Sequence, residues 1–488
     1  MANQDPNSPA WRDPALALYA PQRERNDDVF GGTDVLREKA SIYLPKLPRE
    51  TLANYAIRKD LGEVTNLFKG AVRAAEGLMT ATPIALEDGA SPKLTTLCQD
   101  IDGRGTAVSV WLRGVIRRML KHGWCVTLTS TPIRADETVT RADEDAKRLL
   151  PWVVIYNADD VMSARMVRVG GRDVLAQIVL RESVKEVDGL FGVKDVEQYR
   201  VLKRGGEGAP HTSQVYRLDD KGNPAPFGPV VTIETDELPV VEWSAEPDAG
   251  FGQAAPPLTE IADATISHFR ITNDRRWSMK GGCFPWLVRI GYSDDGAPTS
   301  AGVNEALDIP MGGDAKWIAP GMEATQPTRD ELTDIERRAA SLSLSFLSGE
   351  SSNEQQTATA ASIDQEGQDA GLAAMAVSVR DAANRLGALL AEMLGEDVKD
   401  TYFVVNTKFR GRRKDPAFMR VVLDAWKEGG LPLDALIYVL QHGELGDDFD
   451  AEQAALDALA EAEVDRQKAM ELAQQTAGNV GPLSKQAA

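Results

Sequence analysis

Between Pro256 and Gly282 the apolar positions step by three and four. Leu258, Ile261, Ala262, Thr265, Ile266 and Phe269 fall on one helical face. Beyond Phe269 that face dissolves into Thr272, Asn273, Asp274, Arg275 and Arg276. Pro256 and Pro257 open the pattern and Gly281 and Gly282 close it, which predicts a helix over 256–280, about 35 Å long, with half a core. A second helix is predicted over 328–347, where Leu332, Ile335, Ala339, Leu342 and Phe346 keep the alternating heptad spacing. Thr328 and Glu331, behind Pro327, read as its capping box. A third helix carries the alternation through Leu372, Met375, Val379, Ala382, Leu386, Leu389 and Met393. Two short strand candidates, one at Trp286 and one at Trp317 and Ile318, lie between the first two helices. Such a stripe is ordinarily core within one chain. Two half-apolar helices bracketing a small β module can also complete their burial against copies of themselves in a ring.

Upstream, residues 1–34 are polar and Pro-rich and read as a flexible arm. Residues 35–86 are helical in pattern, with Leu52, Tyr55, Leu61, Val64, Leu67, Phe68, Val72 and Leu78 on recurring faces. "TAVSVWLRGVIRRMLKHG" predicts a helix with Val108, Trp111, Leu112, Val115 and Met119 inward and Gly123 as its C-cap, running into the strand "WCVTLTSTP". After the charged loop "RADETVTRADEDAKRL" come short strands from Trp152 to Trp243, separated by turn residues as in an antiparallel meander. "AEPDAGFGQAAPP" reads as the linker into the first long helix. Near the C-terminus "YFVVNTKF" predicts a strand, followed by a basic loop, two short helices meeting at "GGLP" and an acidic, Ala-rich helix. The class is α+β.

Charge narrows the possible partners. The chain has 488 residues, 74 acidic and 54 basic, for a net charge of -20. It repels nucleic acid and anionic membranes at long range, although local contact with DNA stays open. Three scattered cysteines give no disulfide framework or zinc site. The N-terminus has neither a basic n-region nor an apolar stretch, and no apolar run reaches membrane-spanning length. A soluble protein made in the cytosol is therefore expected.

Candidate chemistry is sparse. The four histidines have no neighbours at ligand spacing, and His268 reads as a packing or interface residue. The pairs Asp100/Asp102 and Asp159/Asp160 are those a hydrolase or Mg²⁺ site uses, but Asp is equally at home in turns and helix starts. Lys408, Arg410, Arg412, Arg413 and Lys414 form the one strong basic cluster, either a DNA-backbone contact or a solvated linker. "VVLDAWKEGGLPLDALIYVLQHG" has a helix-turn-helix outline, but its second helix has no Arg or Lys to read a groove. No cofactor motif and no Walker motif is present, and the reading is of a non-enzyme.

Several segments together resemble a bacteriophage portal protein. "LLPWVVIYNADDVMSARMVRVGGRDVLAQIVLRESVKEVDGLFG" followed by "EQYRVLKR" is similar to the wing signature of one portal subgroup. "LPVVEWSA" followed by "PPLTEIADATISHFRITND" is similar to the entry into the first stem helix. "QQTATAASIDQEGQDAGLAAMAVSVRDAANRLGALLAEMLG" is similar to the helix behind the tunnel loop, where the subgroup often has Glu-Thr-Ala and this chain has Gln356, Thr357 and Ala358. The resemblance covers the chain from about Val35 to the acidic tail and rests on the order of these segments.

The resemblance implies a portal-like fold, with a mixed wing over 35–255 after the arm and stem helices over 256–280 and 328–347. It implies a small β-containing clip over 281–327, a tunnel loop over 348–356 with Gly349, Glu350, Asn353 and Glu354, a helix and strand returning over 357–408, and a helical crown over 409–488. Stem interface positions would be Leu258, Ile261, Ile266, Phe269, Leu332, Ile335, Leu342 and Phe346, and clip interface positions Trp286, Trp317 and Ile318. The polar part of the first stem helix would face the channel or solvent. Implied partners are copies of itself in a ring, commonly a dodecamer, together with major capsid and scaffolding proteins. The terminase large subunit, head–tail adaptor or tail proteins, and double-stranded DNA in transit complete the set. The place would be the virion's portal vertex, reached from the host cytoplasm, with no membrane. The alternatives are another virion ring protein such as a head–tail adaptor, generally much smaller, and a carboxylate- or metal-dependent hydrolase.

Overall fold

The stripe Val108, Trp111, Leu112, Val115 and Met119 closes into the helix its spacing predicts, and all five side chains are buried. Gly123 ends that helix at φ 84°, a conformation costly for any residue with a Cβ. A Cβ there would also lie 2.5 Å from the carbonyl oxygen of Ala254, so packing requires the glycine a second time. The computed structural model describes residues 5–48, 50–87, 89–131, 150–206, 208–219, 221–283, 286–290, 314–318, 325–347, 370–399 and 401–407. All belong to one unit, Met1–Phe409. The expected tunnel loop, the basic cluster, the helix-turn-helix outline, the crown and most of the charged loop lie outside the described residues.

The chain starts with helices α1 (Ala20–Gly31), α2 (Thr33–Glu38), α3 (Ala40–Tyr43), α4 (Leu52–Leu61) and α5 (Leu67–Met79). Then come β1 (Ala85–Leu86), α6 (Pro92–Gln99), α7 (Val108–His122) and β2 (Trp124–Ser130). The β region holds β3 (Trp152–Asn157), β4 (Val161–Val169), β5 (Arg172–Asp188), β6 (Gly192–Lys203), β7 (His211–Leu218), β8 (Pro224–Ile233) and β9 (Val240–Ser244). The last part comprises α8 (Thr259–Cys283), β10 (Trp286–Ile290), β11 (Asp314–Ile318), α9 (Thr325–Leu347), α10 (Ala370–Leu394) and β12 (Phe403–Val404). The fold is α+β.

Two sheets organise the β region. The predicted meander is present as β4-β5-β6-β7-β8, antiparallel throughout. Pro224, Pro226 and Pro229 lie on its edge strand β8, where a missing N–H costs no ladder bond. At the other edge Asp13 donates its backbone N–H to the Met162 carbonyl at 2.8 Å, so the N-terminal segment covers the start of β4. A separate antiparallel sheet, β3-β2-β9, packs on α7. There Trp243 meets Trp111 edge-on, centroids 6.1 Å apart, and donates its indole N–H to Thr127 Oγ1 at 3.0 Å. One core joins α5, α7, α8 and α10 to this sheet, and a second links it to the meander through Trp124, Val126, Tyr156, Ile178 and Leu202.

Three expectations are corrected. Residues 20–31 are not part of a loose arm: they form α1, with Arg23, Asn26 and Val29 buried. Its polar side chains find distant partners. Arg23 donates to Asp159 Oδ1 at 2.9 and 3.0 Å, and Asn26 donates to the Lys121 carbonyl at 2.8 Å. "AEPDAGFGQAAPP" is not a free linker, because Phe251 packs on Trp124, Ala254 is buried and the Gly252 N–H donates to Glu242 at 2.7 Å. The strand over "YFVVNTKF" shortens to the two residues of β12, paired with β1. In the 35–86 stretch Phe68 and Val72 are buried as expected, whereas Leu52 and Leu78 face outward.

Glu242 carries a measurable consequence. Burial pushes its carboxyl up to about 7, against the pull of the Gly252 N–H and of Arg385. A folded-state pKa raised above the unfolded one gives stability that is full below about 4.5 and is lost as pH rises to about 7. We expect Glu242→Gln to flatten that fall and to stabilise the protein at pH 8 by roughly 1–3 kcal/mol, read from urea unfolding at pH 5 and pH 8.

Candidate functional site: the long-helix pair and its hairpin

Helix α8 reaches about 37 Å at 1.5 Å per residue. Leu258 just before it, and Ile261, Ala262, Ile266 and Phe269 within it, are buried in the main core. Thr265 keeps to that face because its hydroxyl is used twice: it donates to the Ile261 carbonyl at 2.7 Å and accepts the Phe68 N–H at 3.1 Å. Arg25 of α1 pairs with Asp263 at 3.0 Å on the flank.

The polar half of α8 is not given over to solvent, as the sequence suggested. Asn273 is fully buried against Gly62, where an added Cβ would lie 2.6 Å from Asn273 Nδ2 and 3.0 Å from the Phe269 ring. Arg270 donates to the Tyr43 carbonyl at 2.7 Å, and Arg276 donates to the Leu61 carbonyl at 3.1 Å and to Glu63 at 2.7 Å. Beneath them is Arg58 of α4, buried with Glu50. Its guanidinium donates to both Glu50 oxygens at 2.8 and 2.9 Å and to the Pro45 carbonyl at 2.8 Å, with Asp274 at 3.4 Å. The Arg58 hydrogen bond holds the Glu50 carboxyl below the ordinary range. This clasp fixes the 45–50 segment and α4 to the middle of α8. No sequence signal singled it out, since its members are 8 and 216 residues apart.

Helix α9 returns alongside α8. The polar crossing is His268 Nε2 to Glu336 Oε1 at 3.0 Å, with the Thr272 hydroxyl 3.4 Å from His268 Nδ1. The histidine is therefore a packing residue between two helices, as its isolation suggested. α9 starts at Thr325, three residues before the expected cap, so Thr328 lies inside the first turn and the Thr-x-x-Glu box is no N-cap. Pro327 is tolerated there because first-turn N–H groups have no intrahelical acceptor. Leu332 and Ala339 are buried, while Ile335 and Leu342 are half-buried. The side chain of Phe346 lies outside the described residues. Leu258, Ile261, Ile266, Phe269 and Leu332 were expected at a stem interface with the partner helix and with neighbouring copies. In the single chain α4, α5 and α9 cover Leu258, Ile261, Ile266 and Phe269, and Leu332 on α9 is buried as well.

Between the two helices, β10 and β11 form the expected pair of short strands, antiparallel with Trp286 opposite Ile318 and Leu287 opposite Trp317. α10 closes the core from the other side. Its Ser378 donates to the Ser244 carbonyl at 2.6 Å, and its Asn384 accepts the N–H groups of Tyr402 and Phe403 at 2.9 and 3.0 Å.

The carboxylate pairs are committed elsewhere. Asp102 Oδ1 accepts the Arg104 and Thr106 N–H groups at 3.0 and 3.3 Å, and Asp100 accepts that of Gly105 at 2.6 Å, as in a loop-forming turn. Burial alone would raise the Asp159 carboxyl, but Arg23 and Arg12 outweigh it and hold it below the usual range. Asp160 pairs with Arg181 at 3.0 Å. Among the described residues no cluster of His, Cys, Asp and Glu has the arrangement of a metal site, and no helix is long and apolar enough to cross a membrane.

One family model, described as a domain of unknown function (DUF4055), matches residues 257–393, the stretch from the start of α8 to the end of α10. No curated protein matches. Among solved structures, the chain is similar to one in the neck of an empty GTA particle computed with C6 symmetry, at 11% identity and TM-score 0.38, covering 78% of this chain and 90% of that one. It is also similar to one in the neck of a native GTA particle computed with C12 symmetry, at 12% identity and TM-score 0.37, covering 80% and 91%. A third is from the virion of the native gene transfer agent, at 11% identity and TM-score 0.36, covering 78% and 89%.

Removing Arg58 strands Glu50 in a buried site. We expect Arg58→Ala to cost about 3–5 kcal/mol in urea unfolding and to speed amide exchange across residues 45–50 before the rest of the chain.

Proposed function

We propose that this chain is the structural, non-enzymatic subunit of a bacteriophage portal, a homo-oligomeric ring at one capsid vertex through which DNA is packaged and ejected. The observation that carries this reading is the run from α8 through the β10–β11 pair to α9. Two long helices rooted in one core return alongside each other and hold a small antiparallel module between them. The body of residues 35–255 takes the part of the wing, α8 and α9 the stem, and the β10–β11 module the clip. Residues 348–356 take that of the tunnel loop and residues 409–488 that of the crown. The partners are further copies, about twelve to a closed ring, with capsid and scaffolding proteins outside and terminase, then adaptor or tail proteins, at the clip. The place is the virion, reached through the host cytoplasm.

The net charge of -20 suits a conduit, since each cation on a phosphate adds affinity that a sliding duplex has to break. The basic cluster Lys408, Arg410, Arg412, Arg413 and Lys414 is the candidate for local DNA contact. A module of two short strands buries little surface alone and suits an interface.

Mass measurement of the purified full chain tests the reading directly: a closed ring is expected, and a stable monomer at every concentration rejects it. We expect Trp317→Glu to leave the melting of the body unchanged while weakening ring or terminase contact. In the proposed channel Gly349, Glu350, Asn353 and Glu354 face passing DNA. Shortening residues 348–356 to a few Gly and Ser residues is expected to leave rings assembled and to change the length of packaged DNA. Unchanged genome length and particle yield reject the tunnel-loop assignment.

A further inference from the structure

Strands β5 and β6 outrun their neighbours. Their mutual register runs from Gln177 and Lys203 to Asp188 and Gly192, whereas β4 meets β5 only as far as Leu180 and β7 meets β6 only from Tyr199. The end of this ribbon is apolar. Val187 and Val193 face each other across the strands, 79% and 65% exposed, and the turn carries Leu190 at 85% and Phe191 at 95%. Turns ordinarily take polar residues, and four large apolar side chains in water have no folding role to explain them.

A second uncovered apolar group surrounds the Arg58–Glu50 clasp. Ile42 and Leu47 belong to the segment that Arg270 and Arg58 hold by the carbonyls of Tyr43 and Pro45. Leu52 and Ile57 are on α4, which carries Arg58. All four are exposed.

We infer that the apolar tip Val187, Leu190, Phe191 and Val193 of one copy docks on the rim Ile42, Leu47, Leu52 and Ile57 of a second copy of this chain. The inference rests on the ring reading and names a contact within it. Tip and rim are different surfaces of the same chain, so the contact is head-to-tail and repeats from copy to copy until it closes. Charge favours this occupant. Asp188 at the tip makes no ion pair among the described residues. Lys46 in the rim donates to the Glu50 carbonyl at 2.7 Å, while the Glu50 carboxyl beside it is already held at both oxygens by Arg58. The same acidic tip on a chain of net charge -20 disfavours an anionic lipid or a nucleic acid. Area explains the need for many copies: four side chains cover far less than the ~1,600 Å² of a standard stable interface. A lone pair is weak, and closure adds the last contact without a further partner.

The test uses the full chain with Cys283→Ser, so that only the buried Cys98 and Cys125 remain. Phe191→Cys and Leu52→Cys are introduced singly and together and then oxidised. The double variant is expected to give a covalent ladder of trimers and larger species on non-reducing gels, and each single variant at most a dimer. Independently, Leu190→Asp with Phe191→Asp, both at exposed positions, is expected to keep the wild-type melting temperature and to weaken assembly at least tenfold by mass measurement. A wild-type ring with no ladder and undiminished assembly of the Asp variant overturns this contact, leaves the ring reading standing and assigns the tip to another protein. A wild type that is monomeric throughout overturns both.

Discussion

Everything that projects from this molecule depends on the burial of one face of α8. Ile261, Ile266 and Phe269 lie in the same core as α5, α7 and α10, so the long helix is rooted rather than attached. Removing an aromatic side chain from such a site costs about 3–5 kcal/mol, a large part of the whole stability of a domain. The return helix α9 and the strand pair take their position from that root. A load carried along α8 would therefore reach the central sheet through side-chain packing.

Polar residues do most of the local fixing around this root. Arg23 reaches Asp159, Arg58 reaches Asp274, and Arg270 and Arg276 reach the carbonyls of Tyr43 and Leu61, all far away in sequence, and the first two arginines are fully buried. Guanidinium suits the task because its planar fork satisfies several acceptors at once while its charge stays compensated. Helix α4 is held to the body in this way, since Arg58 is its one buried residue, whereas α1, α2, α3 and α5 also bring Val29, Leu36, Tyr43 and Phe68 into the main core.

That division explains what was legible in the sequence. Helix periodicity placed α7, α8 and α10 and the inward residues of each, because apolar spacing reports directly on which face is covered. Alternation placed the meander and the strand pair at Trp286 and Trp317. The N-terminal helix α1 was missed because three of its four buried positions, Arg23, Asn26 and Asp28, are polar and read as solvent-facing until partners such as Asp159 and Lys121 are brought beside them. The polar end of α8 misled for the same reason, with Asn273 buried and Arg276 bound to Leu61. The start of α9 was misplaced because a Thr-x-x-Glu pattern is no less compatible with a helix interior, and Pro327 fits any first-turn position. Periodicity shows that a face is covered but not which element covers it, so spacing could not divide the cover of Leu258 and Phe269 between the partner helix, the rest of the chain and neighbouring copies; α4 and α5 share it with α9.

The prolines of β8 bear on what several copies of this fold can do together. A strand edge with three residues lacking N–H groups is a poor template for backbone pairing, and the opposite edge is already occupied at Met162 by the chain's own N-terminal segment. Copies brought close are therefore kept from fusing into one continuous sheet, the route by which β-rich proteins turn into fibres. In the proposed ring, neighbours would then meet through side chains, and joints of that kind let go and re-form one at a time, so that a misplaced copy is expelled instead of being locked in.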